Sequence, residues 1–345
     1  MSKIRIALVG VGYWGPNLAR NIAQCPAAEL AGICDRDGKR AAQMAATYAP
    51  AFAETDLNAT LARPDVDAIV LATPSGLHFE QAKAALEAGK HVMVEKPLAH
   101  SAAEARVLDD LAKAHGRTLM VGHTFLYNNI VHDVKRRIDG GELGKVLYVY
   151  AQRLNLGRFR TDSDVVWTLA PHDVSILNFW FGARPVRVSA RGHAFVHPRA
   201  NVAEVAFVHF EYPDGRVAHL HLSWLDPQKR REMVVVGSER MLVYDDMNSD
   251  AHIRLYDKRA EAEHQSGNIY FADFTTRLRA GDLVVPNVRL VEPLKVEIAH
   301  FADCIATGKT PRTDARHGTE VVAALEAASK SMAAGGESVT VAYPD

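Results

Sequence analysis

Two residues of this chain, Lys96 and His172, are of types that together can move a proton and stabilise charge on an oxygen. Lys96 stands in Val-Glu-Lys-Pro (94–97), where Pro97 keeps the preceding backbone out of helical geometry and makes a rigid strand exit. Pro171 precedes His172 and is typical of the first position of a helix, where the dipole favours a neutral imidazole. A neutral imidazole can act as a general base. We therefore predict a catalytic lysine–histidine pair; the alternatives are a surface lysine paired with Glu95 and an ordinary histidine among the 16 of the chain.

A glycine pattern near the N-terminus predicts a phosphate-binding turn. Gly10, Gly12 and Gly15 form G-x-G-x-x-G directly after an apolar run, as in dinucleotide-binding turns between a strand and a helix. Asp35 closes a second apolar run twenty residues later, where a carboxylate accepts from ribose hydroxyls and repels a 2′-phosphate. The spacing predicts NAD as cofactor. Arg36 can hold a 2′-phosphate, so NADP stays the less favoured alternative.

The elements that must position these residues alternate along the first 120 residues. Strand patterns occur at 4–9, 30–34, 68–72, 91–94 and 118–121, and helical patterns at 15–24, 38–48, 78–88 and 101–115. This alternation predicts a doubly wound parallel sheet, in which ligands bind outside the carboxyl ends of the strands. The cofactor site is therefore expected to include, besides the glycines and residues 35–36, Tyr13, Trp14, Thr73, Pro74, His78, Glu95 and Lys96. For His78 the alternative is a residue that merely starts a helix.

The pattern changes after about residue 122, which predicts a second domain at 123–345 beside a dinucleotide-binding domain at 1–122. Helices are expected at 128–140, 173–181, 294–306 and 315–333, and strands at 146–155, 186–192, 202–212, 217–224, 232–236 and 241–244. Strands that follow one another without helices indicate an antiparallel or mixed sheet. The stretch 258–290 is charged and irregular and receives no assignment.

Several residues of this second domain are candidates for holding a substrate. Arg153, Asn155, Arg158 and Arg160 lie just past a predicted strand, and arginines of this kind recognise phosphate or carboxylate. A solvated strand edge explains them equally well.

Four more residues are candidates for the site. His123, Tyr127 and Asn128 begin the second domain and are expected to line the crevice; for His123 and Tyr127 the alternative is a place in the core. Asp173 is expected as a cap in the first helical turn, with a role in the site as the alternative.

The composition excludes few functions but is typical of a globular protein. Net charge is −1, so nothing in the overall balance argues for nucleic acid or a membrane surface. No apolar run approaches a membrane span, and the first predicted strand begins almost at the N-terminus, so we expect no signal peptide. Cys25, Cys34 and Cys304 lack metal or redox spacing, which favours free thiols in a reducing cytoplasm. No metal-ligand spacing, nucleophile elbow or Walker loop is evident.

Together these motifs resemble the glucose-fructose oxidoreductase/inositol dehydrogenase/MocA family. The matches span nearly the whole chain: Gly-Val-Gly-Tyr-Trp-Gly (10–15), Ala-Thr-Pro (72–74) with His78, Glu-Lys-Pro (95–97), His-Asp (172–173) and Thr-Asp-Ala-Arg-His-Gly (313–318). The resemblance implies an N-terminal Rossmann domain and a C-terminal α/β domain whose open, mostly antiparallel mixed sheet forms dimers or tetramers. It also implies that Lys96 and His172 are the catalytic pair.

Within the family the chain looks like the branch of UDP-sugar 3-dehydrogenases, which act on UDP-N-acetylglucosamine or its uronic acid. The segments 13–17, 122–128 and 169–173 carry this likeness. One departure is Thr168, since the family usually has aspartate four residues before the histidine. Threonine cannot take up a proton as aspartate does. The departure therefore argues against a proton relay through Thr168 and is a sign of a changed substrate.

The resemblance leaves three other functions open. They are a dehydrogenase of a free sugar, inositol or sugar phosphate, a glycosidase that uses NAD transiently, and a non-catalytic sensor that binds NAD. Retention of both Lys96 and His172 argues against the sensor.

Overall fold

The computed structural model describes residues 3–157, 159–160, 163–200, 202–262 and 276–344. Its first sheet has six parallel strands in the order β3-β2-β1-β4-β5-β6. The strands are β1 Ile4–Val9, β2 Ala28–Cys34, β3 Phe52–Glu54, β4 Ala68–Leu71, β5 His91–Glu95 and β6 Leu119–Gly122. The helices between them are α1 Gly15–Gln24, α2 Gly38–Tyr48, α3 Leu57–Leu61, α4 His78–Glu87 and α5 Ala102–Ala114.

This strand order reverses direction at β1, and the carboxyl ends of β1, β2, β4 and β5 meet at one edge. A ligand crevice belongs at such a switch point. The sequence patterns located all five expected strands to within two residues at each end. The short pair β3 and α3 was not predicted, because three residues of strand carry too little periodicity to register.

The second sheet is mixed and has nine strands in the order β16-β13-β12-β11-β7-β10-β9-β8-β17. Only β7 and β10 pair in parallel; the other neighbours are antiparallel. The strands are β7 Val146–Leu156, β8 Arg187–His193, β9 Val205–Glu211, β10 Val217–Ser223, β11 Leu225–Gly237, β12 Met241–Asp245, β13 Ile253–Tyr256, β16 Leu283–Val284 and β17 Val339–Thr340. In a separate two-stranded sheet, β14 Arg259–Ala262 pairs antiparallel with β15 Thr276–Arg279.

Helices cover one face of this sheet and reach back to the first. They are α6 Asn129–Asp139, α7 Val165–Phe181, α8 Pro293–Thr307 and α9 Ala315–Ala333. Apolar side chains of α6, α7 and α9 share a core with the sheet, among them Val134, Val174 and Leu325. Helix α8 instead buries Ile298 and Phe301 in the core of the first sheet. The last part of the chain therefore packs against both sheets.

The fold class expected from the sequence, α/β with a Rossmann sheet and an open, mostly antiparallel mixed sheet, is confirmed. Two elements begin well before their expected positions: the strand expected at 232–236 begins at Leu225, and the helix expected at 173–181 begins at Val165. Asp164 caps it, since its carboxylate accepts from the backbone N–H groups of Val166 and Trp167. Across the described ranges, no helix is both long and apolar enough to cross a bilayer.

Candidate active site

A cavity of about 790 Å³ opens between the two sheets, above the carboxyl ends of β1, β2, β4 and β5. Its size lies within the range of small-molecule sites. Gly12, Asp35 and Lys96, which follow strands of the first sheet, line it together with Thr168 and His172 of α7. Tertiary structure thus brings the predicted cofactor loop and the predicted catalytic pair to one cavity.

The glycine turn has the shape that a bound pyrophosphate requires. Gly10 has φ +89°, and a Cβ there would lie 2.8 Å from the backbone of Ala72. A Cβ on Gly15 would lie 2.8 Å from the Gly10 carbonyl oxygen, so this residue allows close packing at the start of α1. A Cβ on Gly12, by contrast, would meet nothing within 4 Å. The space beside Gly12 therefore lies at the N-terminus of α1, where free N–H groups favour phosphate.

Asp35 is held rigidly at the edge of this space. Its Oδ2 accepts from the N–H of Val11 at 2.8 Å, and its Oδ1 accepts from the N–H of Asp37 at 2.9 Å. Each carboxylate oxygen keeps a further lone pair for a ribose hydroxyl. Arg36 and Arg40 also line the cavity, and Arg40 pairs with Asp37 at 2.9 Å. The pattern fits NAD, with the two arginines beside the ribose position.

The loops after β4 and β5 form the middle wall. Thr73, Pro74, His78 and Glu95 line the cavity, as do Tyr13 and Trp14 opposite them. His78 is buried, with Nδ1 2.7 Å from the Pro97 carbonyl oxygen and Nε2 3.0 Å from that of Thr73. Burial lowers the pKa of His78. This side chain starts α4 and ties the two loops together, which is the structural alternative foreseen for it.

Glu95 and Lys96 are two neighbouring ionisable residues at the end of β5. Trp14 Nε1 donates to Glu95 Oε1 at 2.9 Å, and Lys96 Nζ donates to the carbonyl oxygen of Thr168 at 2.8 Å. Burial raises the pKa of Glu95 to about 7, and the charge of Lys96 opposes that rise. Burial lowers the pKa of Lys96 to about 8, against the charge of Glu95. Lys96 is thus a cation near neutral pH that loses its proton more readily than an ordinary lysine.

His172 lies in the middle of α7, and the expectation that it sits at a helix N-terminus is wrong. Pro171 stands inside the helix, where it cannot donate to the Trp167 carbonyl. The adjacent carbonyl, that of Thr168, accepts from Lys96. Burial is the main cause that lowers the pKa of His172 well below its ordinary value, followed by the charges of Lys96 and Arg153. His172 is therefore neutral near pH 7, for a different reason than the helix dipole.

Asp173 is not a helix cap, because it lies in the ninth position of α7 and pairs with Arg153. Arg153 Nε and Nη2 donate to the two Asp173 oxygens at 2.8 and 2.7 Å. The side chains are only 7% and 2% exposed, and the guanidinium lies over the ring of Phe125. Both groups are thereby engaged with each other rather than turned to the cavity.

Three of the remaining substrate candidates lie away from the cavity lining or outside the described residues. Arg153 and Asn155 belong to β7 and do not follow it, and neither lines the cavity. Arg158 lies outside the described residues, whereas Arg160 lines the cavity. Thr168 lines it too, but its hydroxyl donates back to the carbonyl oxygen of Asp164 at 3.0 Å.

His123 and Tyr127 are core residues in this structure. The ring of His123 is buried and meets that of His317 edge-to-face at 5.3 Å. The hydroxyl of Tyr127 lies 2.9 Å from Thr313 Oγ1. Neither residue lines the cavity, whereas Asn128 does.

Sequence reasoning missed two charged residues of the second sheet. Arg231 of β11 and Asp246, just after β12, line the cavity and form an ion pair at 3.2 Å. Arg231 is the register partner of Arg153 across β11 and β7. No spacing signal could have revealed it, because strand pairing over 78 residues brings the two together.

Comparisons with known proteins decide the family. Residues 4–123 match the model of an oxidoreductase family with an NAD-binding Rossmann fold, and residues 131–243 match the GFO/IDH/MocA C-terminal domain. The chain belongs to the GFO/IDH/MocA oxidoreductase family. Its cofactor is NAD, as the glycine turn and Asp35 indicate.

Three curated relatives show the breadth of the family. The chain is 33% identical over 229 residues to a 4-carboxy-2-hydroxymuconate-6-semialdehyde dehydrogenase of Sphingobium, covering 64% of this chain and 72% of the relative. It is 32% identical over 255 residues to a UDP-N-acetylglucosamine 3-dehydrogenase of Acidithiobacillus ferrooxidans, covering 73% and 77%. It is 27% identical over 319 residues to the scyllo-inositol 2-dehydrogenase (NAD⁺) of Bacillus subtilis, covering 90% and 88%.

Solved structures agree in fold. An oxidoreductase domain protein of Kribbella flavida superposes with a TM-score of 0.84 over 100% of both chains, at 23% identity. The UDP-N-acetylglucosamine 3-dehydrogenase of Acidithiobacillus ferrooxidans superposes with a TM-score of 0.76 over 97% of this chain and 99% of that one, at 28% identity. The chain is thus an NAD-binding oxidoreductase of a family that includes sugar and inositol dehydrogenases.

Proposed function

We propose that this protein oxidises a ring hydroxyl of a UDP-N-acetylhexosamine, at C3, to a ketone. The observation that carries the dehydrogenase chemistry is that Lys96 and His172 line the same cavity as the glycine turn and Asp35. The likeness to the UDP-N-acetylglucosamine 3-dehydrogenase over 73% of the chain supports the substrate class. We assign residues 1–122 to cofactor binding and 123–345 to substrate binding.

NAD⁺ supplies the hydride acceptor when it is bound along Gly10–Gly15 and Asp35. His172 removes the hydroxyl proton, which it can accept because burial keeps its imidazole neutral. Lys96 donates to the same oxygen and stabilises the charge that develops on it. The Thr168 carbonyl, 2.8 Å from Lys96 Nζ, aims the ammonium group at the cavity. In this role the main chain of Thr168 orients the lysine, and its side chain takes no part in proton transfer.

Arg160 and Arg231 are the proposed contacts for the diphosphate or a uronate. Both line the cavity on the side of the second sheet. Arg153 is withdrawn from this role by its buried pair with Asp173, which corrects the assignment of the whole run 153–160 to the substrate. Arginine suits the role because its planar fork binds phosphate or carboxylate oxygens in pairs.

An inositol or free-sugar dehydrogenase is the second candidate. The Bacillus subtilis scyllo-inositol 2-dehydrogenase is similar over 90% of this chain. The two arginines that line the cavity discriminate between the candidates, since an uncharged polyol has no group that would pair with Arg160 and Arg231.

The open face of the second sheet is the proposed surface for a homodimer or homotetramer. Tyr148, Tyr150 and Phe207 are exposed there, beside His219. A second copy of the chain suits this face, because a two-fold axis lets the same patch cover itself. We expect the enzyme to work in the cytoplasm, where its three buried cysteines stay free thiols.

Absorbance at 340 nm tests the proposed function. The purified protein is mixed with NAD⁺ and UDP-N-acetylglucosamine, with and without 2-oxoglutarate to recycle a bound cofactor. Without 2-oxoglutarate we expect absorbance at 340 nm to increase with the UDP-sugar and far less with N-acetylglucosamine or inositol; with 2-oxoglutarate, reoxidation of NADH should lower that signal. An increase in absorbance with inositol but not with the UDP-sugar would favour the second candidate. Release of free sugar without net NADH would instead indicate the glycosidase, and NAD binding without any turnover the sensor.

A further inference from the structure

A polar stripe runs along α7 between the main cavity and a second groove. His172, Ser175 and Asn178 follow one another at intervals of three residues, which places them along one ridge of the helix. Six residues of helix span about 9 Å. His172 lines the main cavity, whereas Asn178 lines a separate groove of about 490 Å³. Ser175 is fully buried between them, in a helix whose other buried residues are mostly apolar.

Two more histidines lie along this stripe. His317 lines the second groove, and its Nε2 is 2.9 Å from Ser175 Oγ. The ring of His123 meets that of His317 at 5.3 Å. The proximity of His123 contributes to the lowered pKa of His172, and that of His317 to the lowered pKa of His123. His317 therefore connects the groove to Ser175 and to the ring of His123, and His123 is near enough to His172 to affect the pKa of that imidazole.

Unpaired atoms mark the same route. Within the described part of the chain, His172 Nδ1, His123 Nδ1 and Asn178 Nδ2 are buried and have no hydrogen-bond partner. Buried polar groups are normally bonded to protein or to ordered water. Three unpaired atoms beside one stripe indicate positions for bridging water, which links polar groups almost as well as a direct bond.

The reaction creates a need for such a route. Each oxidation leaves a proton on His172, while the cofactor and the sugar cover the cavity. Lys96 and Arg231, both cationic, face His172, and the Arg153–Asp173 pair lies beside it. The positive charges disfavour an imidazolium at His172 and therefore favour loss of its proton. Thr168, whose hydroxyl is bonded within its own helix, offers no titratable group to take it.

We propose that His123 and His317 relay the substrate proton from His172 to solvent in the second groove. This proposal rests on the proposed dehydrogenase function. The C–H bond breaks and its hydride goes to NAD⁺, while the O–H bond breaks and the proton goes to His172 as the C=O bond forms. His172 then loses a proton through bridging water to His123, His123 passes one to His317, and His317 releases one beside Asp314 and Glu320. All three imidazoles end neutral, and one proton reaches solvent per NADH.

The test follows NADH at 340 nm and proton release with a pH indicator in the same rapid-mixing experiment. His317→Gln keeps a partner for Ser175 but cannot carry a proton. We expect NADH to form in the first turnover within about twofold of the wild-type rate, while proton release and kcat fall about tenfold. Added imidazole should enter the groove and restore proton release.

His132→Gln is the matched control, because His132 is also a partly buried histidine but its contacts are with Leu126, Arg312 and Phe179 rather than with the relay residues. It should leave both rates unchanged. Proton release as fast as NADH formation in both His317→Gln and His123→Gln would overturn the relay. If either variant unfolds, Ser175→Ala serves in its place: it removes the hydroxyl that holds the His317 ring at 2.9 Å, and the relay predicts that it also slows proton release relative to NADH formation.

The relay and the proposed function fail differently. Wild-type protein that makes no NADH with any sugar overturns the proposed function alone. The relay is then judged on ¹⁵N-histidine-labelled protein with NAD⁺ bound, from the solvent exchange of the His172 ring N–H. His317→Gln should slow that exchange about tenfold; unchanged exchange overturns the relay.

Discussion

Arg153 and Asp173 form a bidentate ion pair in the core, with both bonds below 2.9 Å, directly beside His172 on α7. The pair joins β7 to α7 and so fixes the helix that carries the proposed base. Its burial means that neither charge is screened by water. It acts on the site through position rather than by touching substrate.

Asp173→Asn should therefore destabilise the protein, because it leaves the Arg153 charge buried without a counter-charge. We expect the free energy of unfolding in urea to fall by about 3–5 kcal/mol. Asp110→Asn, which removes the exposed partner of Arg106 on α5, is the control and should cost less than about 0.5 kcal/mol. Similar losses in the two variants would contradict the role given to the buried pair.

Two glycines of the same turn should respond differently to alanine. Gly10→Ala introduces a contact of 2.8 Å with the Ala72 backbone at a positive φ, so we expect about 1–3 kcal/mol of destabilisation. Gly12→Ala meets no protein atom within 4 Å, so the melting temperature should stay within a degree or two. Its methyl group fills the phosphate space, and NAD affinity by calorimetry should fall at least tenfold. Unchanged NAD affinity in Gly12→Ala would place the pyrophosphate elsewhere.

Lys96→Ala should reduce kcat far more than it weakens NAD binding. Removing one donor to an oxyanion typically costs about 10²–10³ in rate. The readouts are kcat from steady-state NADH formation and the NAD dissociation constant from fluorescence titration. Lys39→Ala, an exposed lysine of α2, is the control and should change neither. Equal losses of rate and NAD affinity in Lys96→Ala would argue for a cofactor-binding lysine.

The pH profile should be set by Lys96 on its alkaline side. Its pKa is about 8, so the cation that stabilises the oxygen is lost as the pH rises through that value. Glu95 raises this pKa by its charge, and Glu95→Gln should therefore move the alkaline limb of kcat/KM to lower pH. The acid limb, set by His172, should lie well below pH 6.5 in both proteins, because burial favours the neutral ring. An alkaline limb that stays in place or moves upward would rule out Lys96 as its source.

Charges on the open sheet face should separate the proposed oligomer. Tyr150 and Phe207 are 38% and 41% exposed there, and neither contributes to the active-site cavity. Tyr150→Lys with Phe207→Glu should leave the fold intact by circular dichroism and lower the mass measured by light scattering to that of one chain, 37.8 kDa. A wild-type protein that is already monomeric would contradict the proposal.

The sequence by itself determined the cofactor turn and the rhythm of the first sheet. Gly10, Gly12, Gly15 and Asp35 act through local backbone geometry at a strand end, and such geometry depends on residues close in the chain. Lys96 was found for the same reason, since Glu-Lys-Pro marks the end of a parallel strand. His172 was also located, although the dipole argument for its neutrality was wrong: Pro171 lies inside a longer helix that begins at Val165.

Only the tertiary structure decided which charges remain available to a ligand. It paired Arg153 with Asp173, placed Arg231 and Asp246 in the cavity wall, and put His123 and Tyr127 in the core. Each of these outcomes depends on strand register or on helices packed across long sequence separations. An arginine in a sequence carries no sign of whether an aspartate twenty residues away will meet it, because burial and pairing are properties of the folded chain.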